Sequence, residues 1–193
     1  AASYEHASAA RGTGAIPNTN YIAPWNGTNW EALPSTYGGL GGYVRDLAIY
    51  KDTLIISSDF PNLPTRICGY DADIDDYIDI GSVPSVVNAL EVYNGEIYAG
   101  GTWFSLKKYI GGTYAAWEDV GGTINYYIQD MAVDTFNNFL YVGGGFFVVD
   151  DSILTDNVAI WNGFYWEGIG GYGGISDVMA VENTAQYKGL YHV

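Results

Sequence analysis

The chain has 193 residues and a formal net charge of −15, with 26 Gly, 18 Tyr and 6 Trp against a Lys plus Arg total of 7. So few cations argue against nucleic acid and anionic membrane surfaces as partners, and no apolar run approaches the length of a membrane insertion. A lone cysteine cannot close an internal disulfide, so Cys68 reads as a small buried apolar residue and the fold must stand on its core.

Residues 1–20 are small, polar and contain Gly and Pro, the composition of a connecting segment. Trp25 and Trp30 then flank an Asn26-Gly27 turn, and two strands follow around Val44–Ile49 and Leu54–Ile56. Tyr70 and Tyr77 bracket the next turn. Val86–Phe104 reads as one hairpin, because Asn94-Gly95 between apolar runs suits a type I′ turn with φ > 0 at both central residues. Tyr109 and Trp117, then strands at Ile128–Val133 and Phe139–Gly144, repeat the scheme. Trp161, Asn162-Gly163 and Trp166 open a further copy, which continues through Val178–Val181 to Leu190-Tyr191-His192-Val193. No stripe of period 3.6 predicts a helix.

Four copies of one unit are thus expected, at 21–60, 66–104, 106–146 and 157–193, each with about four short strands. That spacing predicts an all-β protein, a single β-propeller domain of four visible four-stranded blades over residues 1–193. Its large aromatics, Trp25, Trp30, Tyr70, Tyr77, Trp117, Tyr141, Trp161 and Trp166, are assigned to the core between blades. The expected anchors of the second hairpin are Leu47/Ile55, Leu90/Tyr98, Met131/Tyr141 and Met179/Tyr191. Glycine pairs at strand ends would let backbones approach closely. Insertions fall at 60–66 and 146–157.

Val87 to Gly101, VNALEVYNGEIYAGG, resembles the Kelch-type propeller repeat. Trp25-Asn26-Gly27-Thr28-Asn29-Trp30, Trp161-Asn162-Gly163-Phe164-Tyr165-Trp166 and Phe139-Leu140-Tyr141-Val142-Gly143-Gly144-Gly145-Phe146 are similar to bacterial surface-protein repeats reading W-N-G-x-x-W and L-Y-V-G-G-x-F. The resemblance covers nearly all of the chain after residue 20, with Ser57-Ser58 replacing the glycine pair in the first unit. It implies a propeller and leaves the activity open, since propellers host unrelated roles. The pattern expects Gly-Gly-x-Phe after Tyr191, and Ala1-Ala2-Ser3-Tyr4 could supply it. Closure of the ring by the N-terminal segment, a longer array, and pairing of open edges with another copy all remain open.

Asp71, Asp73 and Asp75 alternate as at the start of a calcium loop, where carboxylate oxygens meet a hard cation. A solvated acidic turn is the competing reading, and no other cofactor is expected. Asn26-Gly27-Thr28 is an acceptor sequence for N-glycosylation, although the turn alone explains Asn-Gly. His6 and His192 lie near the termini, no nucleophile motif is present, and the arginine cluster of sialidases is hard to build from Arg11, Arg45 and Arg66. No catalytic residue is assigned. The composition and the resemblance favour a secreted or cell-surface protein without catalysis, a structural or protein-interaction module whose partners are other subunits or copies of itself. A glycan-binding propeller is the second expectation, and a glycan-active enzyme the third.

Overall fold

The computed structural model describes residues 21–33, 40, 42–58, 66–112 and 116–169. Among them there are 14 strands and no helix, in three four-stranded antiparallel sheets and one two-stranded sheet. The all-β expectation holds over these residues. Sheet I contains β1 (Val44–Tyr50), β2 (Thr53–Ser58), β3 (Ile67–Asp71) and β4 (Asp76–Asp79), hydrogen-bonded in that order. Sheet II contains β5 (Val87–Tyr93), β6 (Glu96–Gly101), β7 (Leu106–Gly111) and β8 (Ala116–Val120). Sheet III contains β9 (Ile128–Asp134), β10 (Phe139–Gly144), β13 (Val158–Trp161) and β14 (Trp166–Gly168). The small sheet pairs β11 (Val148–Val149) with β12 (Ile153–Leu154).

These boundaries correct the expected repeat phase. Residues 67–79 pair with 44–58, and residues 106–120 pair with 87–101. Each sheet therefore joins the second hairpin of one sequence repeat to the first hairpin of the next. The cause lies in the connections: the chain turns back onto the same sheet after β2, whereas residues 80–86 after β4 carry it to the next one.

The Asn94-Gly95 turn has φ of 53° and 75°, as the hairpin reading requires. It fixes the register Tyr93↔Glu96, Leu90↔Ala99 and Val87↔Gly101. The proposed anchor pairs are one residue out of that register. Leu47 faces Ile56 and Ile55 faces Ala48; Leu90 faces Ala99; Met131 faces Val142, and Tyr141 faces Ala132. Neighbouring residues alternate between faces, so Leu47 and Ile55 lie on opposite sides of sheet I. Met179/Tyr191 lies outside the described residues.

A bulge recurs near the start of each first strand. Arg45, Asn88 and Gln129 are the extra residues, between Val44/Asp46, Val87/Ala89 and Ile128/Asp130. A bulge of this kind kinks its strand and increases its twist. A Cβ on Gly100 would lie 2.8 Å from the Ile128 Cβ, so the glycine admits the first strand of the next sheet.

The core forms layers. Ile22, Leu40, Leu54, Ile56, Cys68, Tyr70 and Tyr77 cluster on one face of sheet I. Tyr50, Ile55 and Ile67 meet Val87, Leu90, Ile97 and Ala99 between sheets I and II. Tyr93, Tyr98 and Leu106 meet Ile128, Leu140, Val142 and Trp161 between sheets II and III. Burying a ring as fully as Tyr93 contributes about 2–3 kcal/mol. The first strands β1, β5 and β9 lie side by side. The Tyr50 hydroxyl at the end of β1 donates to Glu96 Oε2 at 3.0 Å, and the Tyr93 hydroxyl at the end of β5 donates to the Asn138 carbonyl at 2.8 Å. The three strands therefore run in the same direction, with their hairpin turns at one end.

Candidate interaction surface

This arrangement gives the stack two unlike ends. One carries the tight turns at 51–52, 94–95 and 135–138. The other carries the connections between hairpins and between sheets, 80–86, 102–105, 121–127 and 145–157. At the connection end Phe104, Tyr126 and Phe147 face solvent from backbone segments that hydrogen-bond to one another, at 61%, 52% and 59% exposure; Tyr43, just before β1, is exposed at the same end.

The backbone of those segments is tied together. Ile124 N–H donates to the Phe104 carbonyl at 2.9 Å. The Asn125 side-chain oxygen accepts from the N–H groups of Phe147 and Val148, both at 3.0 Å. Gly145 N–H donates to the Tyr127 carbonyl at 3.1 Å, and Asp150 N–H to that of Thr123 at 2.8 Å. Ile124, Phe146 and Val149 are fully buried beneath. A side chain on Gly145 would press against the Tyr126 and Tyr127 rings, with a Cβ 2.8 Å from both. The anticipated insertion at 146–157 builds this platform: it folds into β11 and β12, and Val149 bridges to Ile124. The Thr123 hydroxyl, donating to Asp151, supplies a polar margin.

Sequence reasoning did not single out these three rings. The available signal was positional: Phe104 and Phe147 each directly follow a buried aromatic residue, Trp103 and Phe146, after a glycine-pair strand end. Neighbouring residues outside a regular strand need not share burial, so periodicity was silent there.

Of the predicted core aromatics, Tyr70, Tyr77, Trp161 and Trp166 are buried, while Trp25, Trp30, Trp117 and Tyr141 are half-buried. The aromatics of the turn hairpins meet: ring centroids are 5.3 Å apart for Trp25 and Trp30, 5.5 Å for Tyr70 and Tyr77, 5.2 Å for Tyr109 and Trp117, and 5.3 Å for Trp161 and Trp166. Cys68 is buried, and desolvation pushes its thiol up to about 12. His6 and His192 lie outside the described residues.

Asp71, Asp73 and Asp75 sit at the turn between β3 and β4. Asp71 Oδ1 accepts the Asp73 N–H at 2.8 Å, and Asp75 Oδ1 accepts the Tyr70 hydroxyl at 3.3 Å. These bonds are local turn bonds. Among the described residues no three His, Cys, Asp or Glu side chains converge to hold a metal ion. Asn26 is exposed; its oxygen accepts from Thr28 and Asn29 N–H at 2.9 Å, and its nitrogen donates to Glu31 Oε1 at 2.5 Å. Asn162 repeats this pattern with Phe164, Tyr165 and Glu167. A glycan on the Asn26 nitrogen would have to be accommodated beside Glu31.

The first strands also carry acids. Asp46 Oδ2 accepts the Leu90 N–H of the next sheet at 2.6 Å, and its other oxygen accepts Leu47 N–H at 2.8 Å. Glu91 on β5 is raised to about 7, chiefly by burial, with Asp46 and Asp130 adding repulsion. No helix among the described residues is long and apolar enough to cross a membrane.

No protein-family model matches the chain, and no curated protein matches it.

Proposed function

We propose that the chain is a β-propeller-type repeat protein whose sheets serve as blades, and that it works without catalysis as a secreted or cell-surface interaction module. Its partners on this reading are other protein subunits or copies of itself. The parallel first strands and layered core support the propeller assignment, together with the resemblance to Kelch-type and bacterial surface-protein repeats. The observation that carries the interaction role is the exposure of Phe104, Tyr126 and Phe147 on segments whose backbones hydrogen-bond to one another. Exposed rings held on rigid backbone supply contact area at low entropic cost, a feature of protein-binding surfaces. The outer strands β4, β8 and β14 add edges through which copies could pair.

Glycan binding is the second reading. Exposed rings on segments that also carry the polar Asn125, Thr123 and Asp151 side chains are the combination a sugar face and its hydroxyls would use.

The test is a triple substitution, Phe104→Ser, Tyr126→Ser and Phe147→Ser. Light scattering against concentration is expected to show association of the natural chain and loss of it in the variant, with the melting temperature unchanged. Binding on a glycan array that the variant loses, without self-association, would favour the second reading. Equal behaviour of both proteins in both assays overturns the surface assignment.

A further inference from the structure

The interface between sheets I and II contains a half-open cavity of about 150 Å³, at the turn end and away from Phe104, Tyr126 and Phe147. Ile55, Ile80 and Ile97 are among the isoleucines of its apolar part, and Tyr50, Lys51, Thr53 and Tyr109 also line it.

The repeat explains why space is left there. Ile55 of β2 corresponds to Tyr98 of β6, each facing the residue two places past the bulge pair. Tyr109 of β7 corresponds to Trp161 of β13, since each pairs with the aromatic of its sheet's outer strand. The II/III interface thus puts a phenol and an indole where the I/II interface has a sec-butyl group and a phenol. Tyr98 and Trp161 are both buried in the II/III core. The missing volume is that of about one aromatic ring. An aliphatic-lined cavity of roughly 150 Å³ is known to take a benzene ring.

Charge narrows the class of occupant. Lys51 is the charged residue of the lining; it is exposed, its ammonium sits 4.6 Å from the centroid of the Tyr50 ring, and Glu96, which accepts from the Tyr50 hydroxyl, also acts on it. Tyr50 and Tyr109 meet edge to face at 6.1 Å, a fixed aromatic wall beside it. We propose that this cavity binds a small arylcarboxylate: the ring fills the place that Tyr98 holds in the next interface, and the carboxylate meets the Lys51 ammonium.

Phenylacetate and its neutral isostere phenylacetamide are the probes, followed by ligand-observed NMR and titration calorimetry on the full chain. Phenylacetate is expected to bind the natural protein, about threefold tighter than phenylacetamide, the scale of an exposed ion pair. Lys51→Ala should erase that preference while retaining the ring. Ile55→Tyr should abolish binding of both, and Tyr109→Trp, which fills the same space from the facing sheet, should do so independently if the first variant packs poorly. Absence of phenylacetate binding to the natural protein, or binding that survives both filling substitutions, overturns the proposal. An unchanged preference in Lys51→Ala overturns the assignment of the carboxylate to Lys51.

Discussion

The indole nitrogen of Trp117 donates to the carbonyl oxygen of Ile80 at 2.9 Å, reaching from the outer strand of sheet II to the end of the outer strand of sheet I. One sheet further on, the Trp166 indole donates to the Gly121 carbonyl at 2.6 Å. Trp117 and Trp166 therefore each tie their sheet to the preceding one. This explains why the indole recurs in the sequence where a plain apolar ring would fill the same volume.

Trp166→Phe keeps most of the ring and leaves the Gly121 carbonyl without its indole donor. It should destabilise by about 1–3 kcal/mol, as an unmade buried hydrogen bond does. Trp117→Phe should cost less, because Trp117 is half-buried and water can replace the indole. Urea unfolding of both variants checks the order; a larger loss at Trp117 would contradict it.

Glu91 gives stability a pH dependence. Its folded pKa of about 7 lies above the ordinary carboxylate value, so the folded state holds the proton more tightly than the unfolded chain. Stability should fall as pH rises from about 5 to 8, by about 1–3 kcal/mol from this group. Glu91→Gln should flatten that slope and be the more stable protein at pH 8. Denaturant midpoints at both pH values measure it, and parallel curves for the two proteins would refute it.

Acid acts in the opposite sense through the turn after β9. Asp134 Oδ2 accepts the Asn137 side-chain nitrogen at 2.7 Å, and Oδ1 accepts the N–H groups of Phe136 and Asn137. The Asn137 side chain, more than the backbone bonds, holds this carboxyl below its ordinary value. Its contribution is complete above the unfolded pKa and disappears as pH falls through the folded one. Asp134→Asn should reduce the loss of stability on acidification below about pH 4, read by thermal melts from pH 5 to 2.

Two glycines should respond differently to alanine. Gly95 has φ of 75° with open space around it, so Gly95→Ala meets only backbone strain, about 1–2 kcal/mol. At Gly101 the new methyl would collide with the Val86 carbonyl and the Trp103 ring. Gly101→Ala should therefore cost more, about 2–4 kcal/mol, because a backbone carbonyl cannot move aside cheaply. Equal melting temperatures for the two variants would contradict the close approach at Gly101.

Much of this fold was legible from sequence because short-range rules governed it. Asn94-Gly95 announced its hairpin, and the Asn26-Gly27 and Asn162-Gly163 turns carry the side-chain bonding that Asn provides. Lys51-Asp52 and Asp150-Asp151 make left-handed turns without glycine, held by the strands they join, and carried no such signal. The phase of the sheets was hidden for a different reason. A repeat in sequence has no marked beginning, and only the choice of β3 to pair with β2 fixes where a sheet starts. The exposed rings of the candidate surface were hidden because Phe104 and Phe147 adjoin buried residues of the same chemical type.

The stacking of sheets through their indoles can be tested by NMR on the Trp117 and Trp166 side-chain N–H protons. The structure predicts slow solvent exchange at Trp166 and nuclear Overhauser contacts from Trp117 to residues 80 and 81 and from Trp166 to residues 121 and 122. Rapid exchange at both indoles, with contacts confined to their own hairpins, would contradict it.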